Sequence, residues 1–158
     1  MVGMFLVVII MMTYYRMAGV LAVAALGVYS VLVLGGLAGL GANLTVPGIA
    51  GLILSVGMAV DANVLIFERI REELTAGRAT RTAVDEGFAN AMSALVDANI
   101  TTLITAVILY QFGTSAVKGF AVTLSIGIAA SFFSALFVTR TFFLVYIQGK
   151  KASDPISI

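Results

Sequence analysis

Of the 158 residues, 61% are hydrophobic and only 11% are charged, and the mean hydropathy is +1.10; soluble domains carry about a quarter charged residues. This composition excludes a soluble enzyme, and a net charge of +1 argues against a nucleic-acid surface. With no cysteine and no histidine, there is no disulfide, no thiolate or imidazole metal site and no histidine base, so neither a cofactor nor a metal is expected. A bilayer core about 30 Å thick needs about 20 apolar residues per helix, so the chain has room for about five spans and no separate soluble domain. The expected fold is all-α, a polytopic membrane helical bundle.

The first apolar run, residues 1–15, ends at Arg16 and is short for a span, which leads us to expect further residues upstream of Met1. Its positive charge follows the apolar stretch, unlike that of a signal peptide. The second run, 17–40, closes in Gly39, Leu40, Gly41, Ala42 and Asn43, a turn-forming hairpin before Pro47. A third span covers 46–68, with Pro47 suited to a first helical turn, where its missing N–H has no partner to lose. Residues 70–96 are rich in charge. Thr82 and Asp85 there resemble a capping box, and Val84, Phe88, Ala91 and Leu95 follow at helical spacing, so a short amphipathic cytoplasmic helix is expected. The fourth span, 98–112, turns through Gly113, Thr114 and Ser115 into a fifth, 117–147; the transmembrane domain is thus 1–149 and a polar C-terminal tail 150–158.

Arg16, Arg69, Arg71, Arg78, Arg81, Arg140, Lys150 and Lys151 all fall at one side of this layout, and Lys118 at the other. The positive-inside rule puts the 68–97 loop and the C-terminus in the cytoplasm.

Asp61 lies about 15 residues into the third span, within the hydrocarbon zone. A carboxylate there costs at least about 2.5 kcal/mol by insertion scales, so it is expected to face a polar bundle interior and mark an ion path. The alternative is a protonated, hydrogen-bonded Asp that glues helices. Gly57 lies one turn before it. Gly51, Ser55, Ala59 and Asn63 share a four-residue spacing, and Gly119, Thr123, Gly127 and Ser131 make a second small-residue stripe suited to close helix packing. Asp97, Asn99, Thr101, Thr102 and Thr105 form a polar cluster at the entrance of the fourth span, either half of a proton path or a capped, hydrated helix start. The run Glu68, Arg69, Arg71, Glu72 and Glu73 reads as a solvated, mutually paired helix end.

The segment Gly57 to Glu73, GMAVDANVLIFERIREE, resembles the fourth-span signature of the SecD family of bacterial protein-export membrane proteins, in the RND superfamily. LTVPGIAGL from Leu44, DANITTLITA from Asp97 and GFAVTLSIGI from Gly119 resemble further SecD segments in the same order. The resemblance implies an RND-like half made of spans two to six, without the first span and periplasmic domain that handles the preprotein. It further implies pairing with SecF, association with the SecYEG translocon in the bacterial inner membrane, and use of the proton-motive force or a sodium gradient to assist translocation. Asp61 stands at the family's proton-relay position, and Asn63, Asp97, Asn99, Thr101 and Thr102 are its candidate companions. Two other readings remain open: a structural translocon-docking module that moves no ions, and, remotely, an intramembrane aspartyl protease sharing a proton between Asp61 and Asp97. The latter lacks the expected Gly-x-Gly-Asp arrangement, since Ala59 and Val60 precede Asp61.

Overall fold

The computed structural model describes residues 2–42 and 44–148; the expected polar tail, 150–158, and Asn43 of the hairpin lie outside the described residues. The elements are α1 (Val2–Tyr14), α2 (Arg16–Gly39), α3 (Val46–Thr75), α4 (Thr80–Phe112), α5 (Ser115–Phe133), a π-helical segment (Ser134–Thr139) and α6 (Arg140–Gln148). The π segment joins α5 to α6 without a break, so they form one rod from Ser115 to Gln148. Four rods, Arg16–Gly39, Val46–Thr75, Thr80–Phe112 and Ser115–Gln148, are long and apolar enough to cross a membrane, and Phe5–Tyr14 is a shorter apolar helix. The protein is an all-α, multi-pass membrane protein.

Local chemistry accounts for most helix ends. Thr45 caps α3 by accepting the Gly48 N–H at 3.1 Å, and Pro47 occupies the first turn as expected. α3 outlasts its apolar stretch and ends at Thr75, because Arg69–Glu72 (2.8 Å) and Glu68–Arg71 (3.8 Å) pair along its last turns. The turn that follows carries Gly77 at φ 83°, a left-handed conformation that favours glycine. Arg78 then bridges Glu73 at 3.3 Å and Glu86 at 3.0 Å, tying α3 to α4.

The separate amphipathic helix expected at 70–96 is divided between two elements. Its first residues finish α3, and the rest is the leading half of α4, which continues unbroken past Asp97 to Phe112. No proline lies between Thr80 and Phe112 to stop it. Thr82 is no cap: α4 starts behind Ala79, which has no side-chain capping bond.

α1 reverses into α2 at Tyr15 and Arg16, where Arg16 adopts φ 46°. Gly19 permits the tight reversal, since a Cβ there would collide with the Met11 carbonyl. α3 and α5 run parallel and form the centre. Their predicted stripes meet each other: a Cβ at Gly119 would strike Thr45, one at Gly127 would strike Ser55, and Gly48 faces Thr123. Small residues let the two backbones close where hydrophobic burial offers no drive. Tyr29 of α2 donates to Ser55 Oγ at 2.7 Å, and Ser134 donates to the Ala25 carbonyl at 3.0 Å, so α2 is held on this seam. At one end Thr45 bonds the Ala116 carbonyl (3.3 Å). At the other, Tyr15, Phe67, Phe143 and Phe88 form a chain of ring contacts with centroids 5.5, 5.4 and 6.2 Å apart. Arg16, Arg69, Arg71, Arg78, Arg81 and Arg140 gather at this second, basic end, while Lys118 lies at the opposite, hairpin end.

Candidate ion-relay site

α3's buried row is Gly48, Gly51, Ser55, Ala59, Ala62 and Ile66, spaced three or four residues apart. Asp61 falls on the opposite side of the helix and is exposed, as is Gly57 one turn before it. The expectation of a carboxylate facing the interior of this bundle is therefore corrected: Asp61 faces out of the chain. Gly57 likewise packs against nothing here, since a Cβ added to it has no neighbour within 4 Å. The reason is register: a helix that buries 55, 59, 62 and 66 must turn 57 and 61 outward.

Asp97 is also displaced from its expected position. It sits in the middle of α4, not at a helix start, so neither capping nor the helix dipole accounts for it. Asp61 lies about 15 residues from the hairpin end of α3, and Asp97 about 15 from the hairpin end of α4, or about 22 Å in each case. The two carboxylates are thus level on adjacent antiparallel helices, and both are exposed. Among the described residues, neither carboxylate has a hydrogen-bond or ion-pair partner.

Among the described residues, the other expected relay residues make no hydrogen bond to either carboxylate. Asn63 is buried, 3% exposed, on the far side of α3, where its amide donates to the Ala59 carbonyl (3.1 Å) and its Oδ1 accepts from Thr139 Oγ1 (2.7 Å). Asn99 is turned toward α5 and donates to the Leu95 carbonyl at 2.7 Å. Thr101, Thr102 and Thr105 each donate to the carbonyl four residues back, at 2.8, 2.8 and 3.1 Å, and so satisfy themselves within α4. Apart from Asp97, the polar cluster of the fourth span is one amide and three hydroxyls, each bonded to the α4 backbone. Thr123 and Ser131 are buried, and each bonds its own helix backbone.

Two features were missed in the sequence. Thr139, fully buried in the π segment, is the hydroxyl that holds Asn63. Its signal was available, because extending the stripe 119, 123, 127, 131 by two further steps of four reaches Ala135 and Thr139. The second is Glu68, which accepts from buried Tyr15 at 2.8 Å, while Arg71 bonds the Tyr14 hydroxyl at 3.0 Å. The charged run is therefore an anchor for the α1–α2 corner as well as a solvated helix end. Among the described residues, no three of His, Cys, Asp and Glu gather where they could hold a metal ion.

Comparison with known proteins now bears on this geometry. The sequence model of the family described as protein export membrane protein SecD/SecF, C-terminal, matches residues 1–149. The protein translocase subunit SecD of Desulfurispirillum indicum is 58% identical over 155 residues, covering 96% of this chain and 30% of that protein. The corresponding subunit of Calditerrivibrio nitroreducens is 51% identical over 157 residues, 99% of this chain and 30% of that one. Among solved structures, SecDF in a super-membrane-facing form superposes with a TM-score of 0.90 at 44% identity, covering 98% of this chain and 21% of that chain. SecDF from Thermus thermophilus, a translocon-associated membrane protein, gives 0.90 at 45% identity, with 98% and 22% covered. The chain thus spans about a third of the length of these curated relatives. With the family model matching nearly its whole length, the chain belongs to the SecD/SecF C-terminal family of protein export membrane proteins.

Proposed function

We propose that this chain is the ion-coupling membrane unit of a Sec protein-export subunit. The observation that carries the proposal is the level pair of outward-facing, unpartnered carboxylates, Asp61 and Asp97. An ionised carboxylate about 22 Å from the helix ends is costly against lipid, so this face calls for a second polypeptide half or bound ions. The relatives are named a protein translocase subunit SecD and a translocon-associated SecDF, which supports a SecF-like half as that partner; in our reading the longer assembly engages the SecYEG translocon and the preprotein. The basic end faces the cytoplasm of the bacterial inner membrane by the positive-inside rule.

Protonation of Asp61 removes a charge whose burial is costly, which favours a different packing against the partner half; release toward the cytoplasm restores the first. Asp97 shares the site as a second carboxylate at the same depth, and either a proton or sodium suits such a pair. The π segment is our choice for the bistable element, since π turns interrupt the regular ladder and often mark functional positions. Asn63, bonded to Thr139, links that segment to the helix that carries Asp61. The chain acts by binding and repacking, not as an enzyme, and needs no cofactor.

Asp61→Asn keeps volume and hydrogen bonding but cannot cycle a charge. We expect the variant to insert and fold normally and to lose ion-driven export in a complementation assay at matched protein level. Normal export would leave only the structural docking role.

A further inference from the structure

At the basic end, a groove of about 510 Å³ lies between the leading half of α4 and the π segment and α6. Its floor is Phe88, Ala89, Met92, Leu136, Phe137 and Leu144, and at its rim stand Asp85 and Arg140. Phe137 is 60% exposed and stacks on exposed Phe133 with centroids 5.0 Å apart, so this apolar wall extends toward the bilayer centre. Thr141 turns its hydroxyl back to the Phe137 carbonyl at 2.6 Å and offers the groove no donor.

The depth of the rim matters. Arg140 is about 25 residues from the hairpin end of its rod, about 37 Å, and Asp85 about 27 residues from that of α4, about 40 Å. A bilayer has a hydrocarbon core about 30 Å thick, and about 40–45 Å with its headgroups, so Asp85 and Arg140 lie in a headgroup layer. Met92, about 20 residues or 30 Å from the same end, lies about 10 Å deeper than Asp85, in the outer part of the hydrocarbon. An apolar channel beneath a charged pair matches the long axis of one phospholipid.

The pair also has a polarity. Asp85 and Arg140 touch through one contact of 3.3 Å, with side chains 48% and 51% exposed, so they hold each other weakly and keep most of their hydrogen-bonding capacity. One presents an acceptor and the other a fork of donors, the complement of a headgroup with both an ammonium and a phosphate. We infer that this groove is a binding site for a single phosphatidylethanolamine, its phosphate on Arg140, its primary ammonium on Asp85 and one acyl chain along Phe88, Met92 and Leu136. Phosphatidylcholine fills the same volume, but its methylated nitrogen has no N–H to donate to Asp85. Phosphatidylglycerol brings the phosphate without the cation and sets its charge against Asp85. The site is separate from Asp61 and Asp97 and does not depend on their role in ion coupling.

The test is native mass spectrometry of the purified protein in detergent with equal amounts of the three lipids, their acyl chains matched. Phosphatidylethanolamine is expected to be retained about tenfold over phosphatidylcholine, the difference of one charge-assisted hydrogen bond. Asp85→Asn should reduce it to the phosphatidylcholine level, and Arg140→Gln should lower retention of all three. Met92→Trp, which fills the groove and leaves both charges, should also abolish the excess, with helicity by circular dichroism confirming that each variant is folded. Equal retention of ethanolamine and choline lipids, a preference for phosphatidylglycerol, or an ethanolamine excess that survives Asp85→Asn or Met92→Trp would each overturn the inference.

Discussion

At the scale of single residues, what matters is which polar groups are satisfied inside the chain. Asn63 and Thr139 satisfy one another at 2.7 Å, and Tyr29 and Ser55 do so at 2.7 Å, all four buried. Asp61 and Asp97 are left for something outside. Because the two carboxylates are level, Asp97→Asn should damage export as severely as Asp61→Asn, and the double variant should be no worse than either, as expected of one coupled site. Export measured for both singles and the double decides this; a mild Asp97→Asn defect would return Asp97 to a peripheral role. Thr139→Val removes the one donor to Asn63 Oδ1 among the described residues and should cost about 1 kcal/mol, within the range for interhelical hydrogen bonds in membranes. Thermal unfolding in detergent should show the loss, and replacing Asn63 by Leu in the same chain should recover part of it.

At the scale of helices, the stripe of small residues did more than generic packing spacing promises. The α3 and α5 stripes meet, and Gly127 is in contact distance of Ser55, itself bonded to Tyr29. Gly127→Val should separate α3 from α5, break the Tyr29–Ser55 bond and lower the thermal midpoint, whereas Gly57→Ala, in open space, should leave it nearly unchanged. Much of this level was legible in advance. Apolar runs located the helices, Pro47 marked the start of α3, and the glycines of the hairpin marked the end of α2, whereas the Thr45 cap was not anticipated. Hydropathy was misleading at 70–112, because charge was read as a boundary. Helix propensity ignores the membrane surface, and α4 passes through it unbroken. Which side of α3 carries Asp61 was open to sequence periodicity in part. Up to Ala62 the buried row is composed of Gly, Ser and Ala, so around Asp61 the usual contrast of apolar against polar faces is weak, and packing against α5 fixes the orientation. The π segment had no local signature at all.

At the scale of the whole molecule, the basic end and the hairpin end set the orientation proposed for the chain in the membrane. The chain has no cysteine, so single introduced thiols report cleanly. A cysteine at Ala79 should label only from the cytoplasm and one at Leu44 only from the opposite side; labelling of both from one side would mean that α3 does not span. The exposed, level carboxylates Asp61 and Asp97 are what the proposed second half would cover, and this connects the residue-level chemistry to the proposed role in export. The most direct measurement is ion flux: the intact complex in proteoliposomes, with an internal pH dye, an imposed gradient and the preprotein engaged. Proton entry that depends on Asp61 and vanishes in Asp61→Asn, at equal reconstitution, is what this account predicts, with sodium substituting only if sodium is the coupled ion. Equal flux, or equal lack of flux with either ion, in the wild type and Asp61→Asn would contradict it.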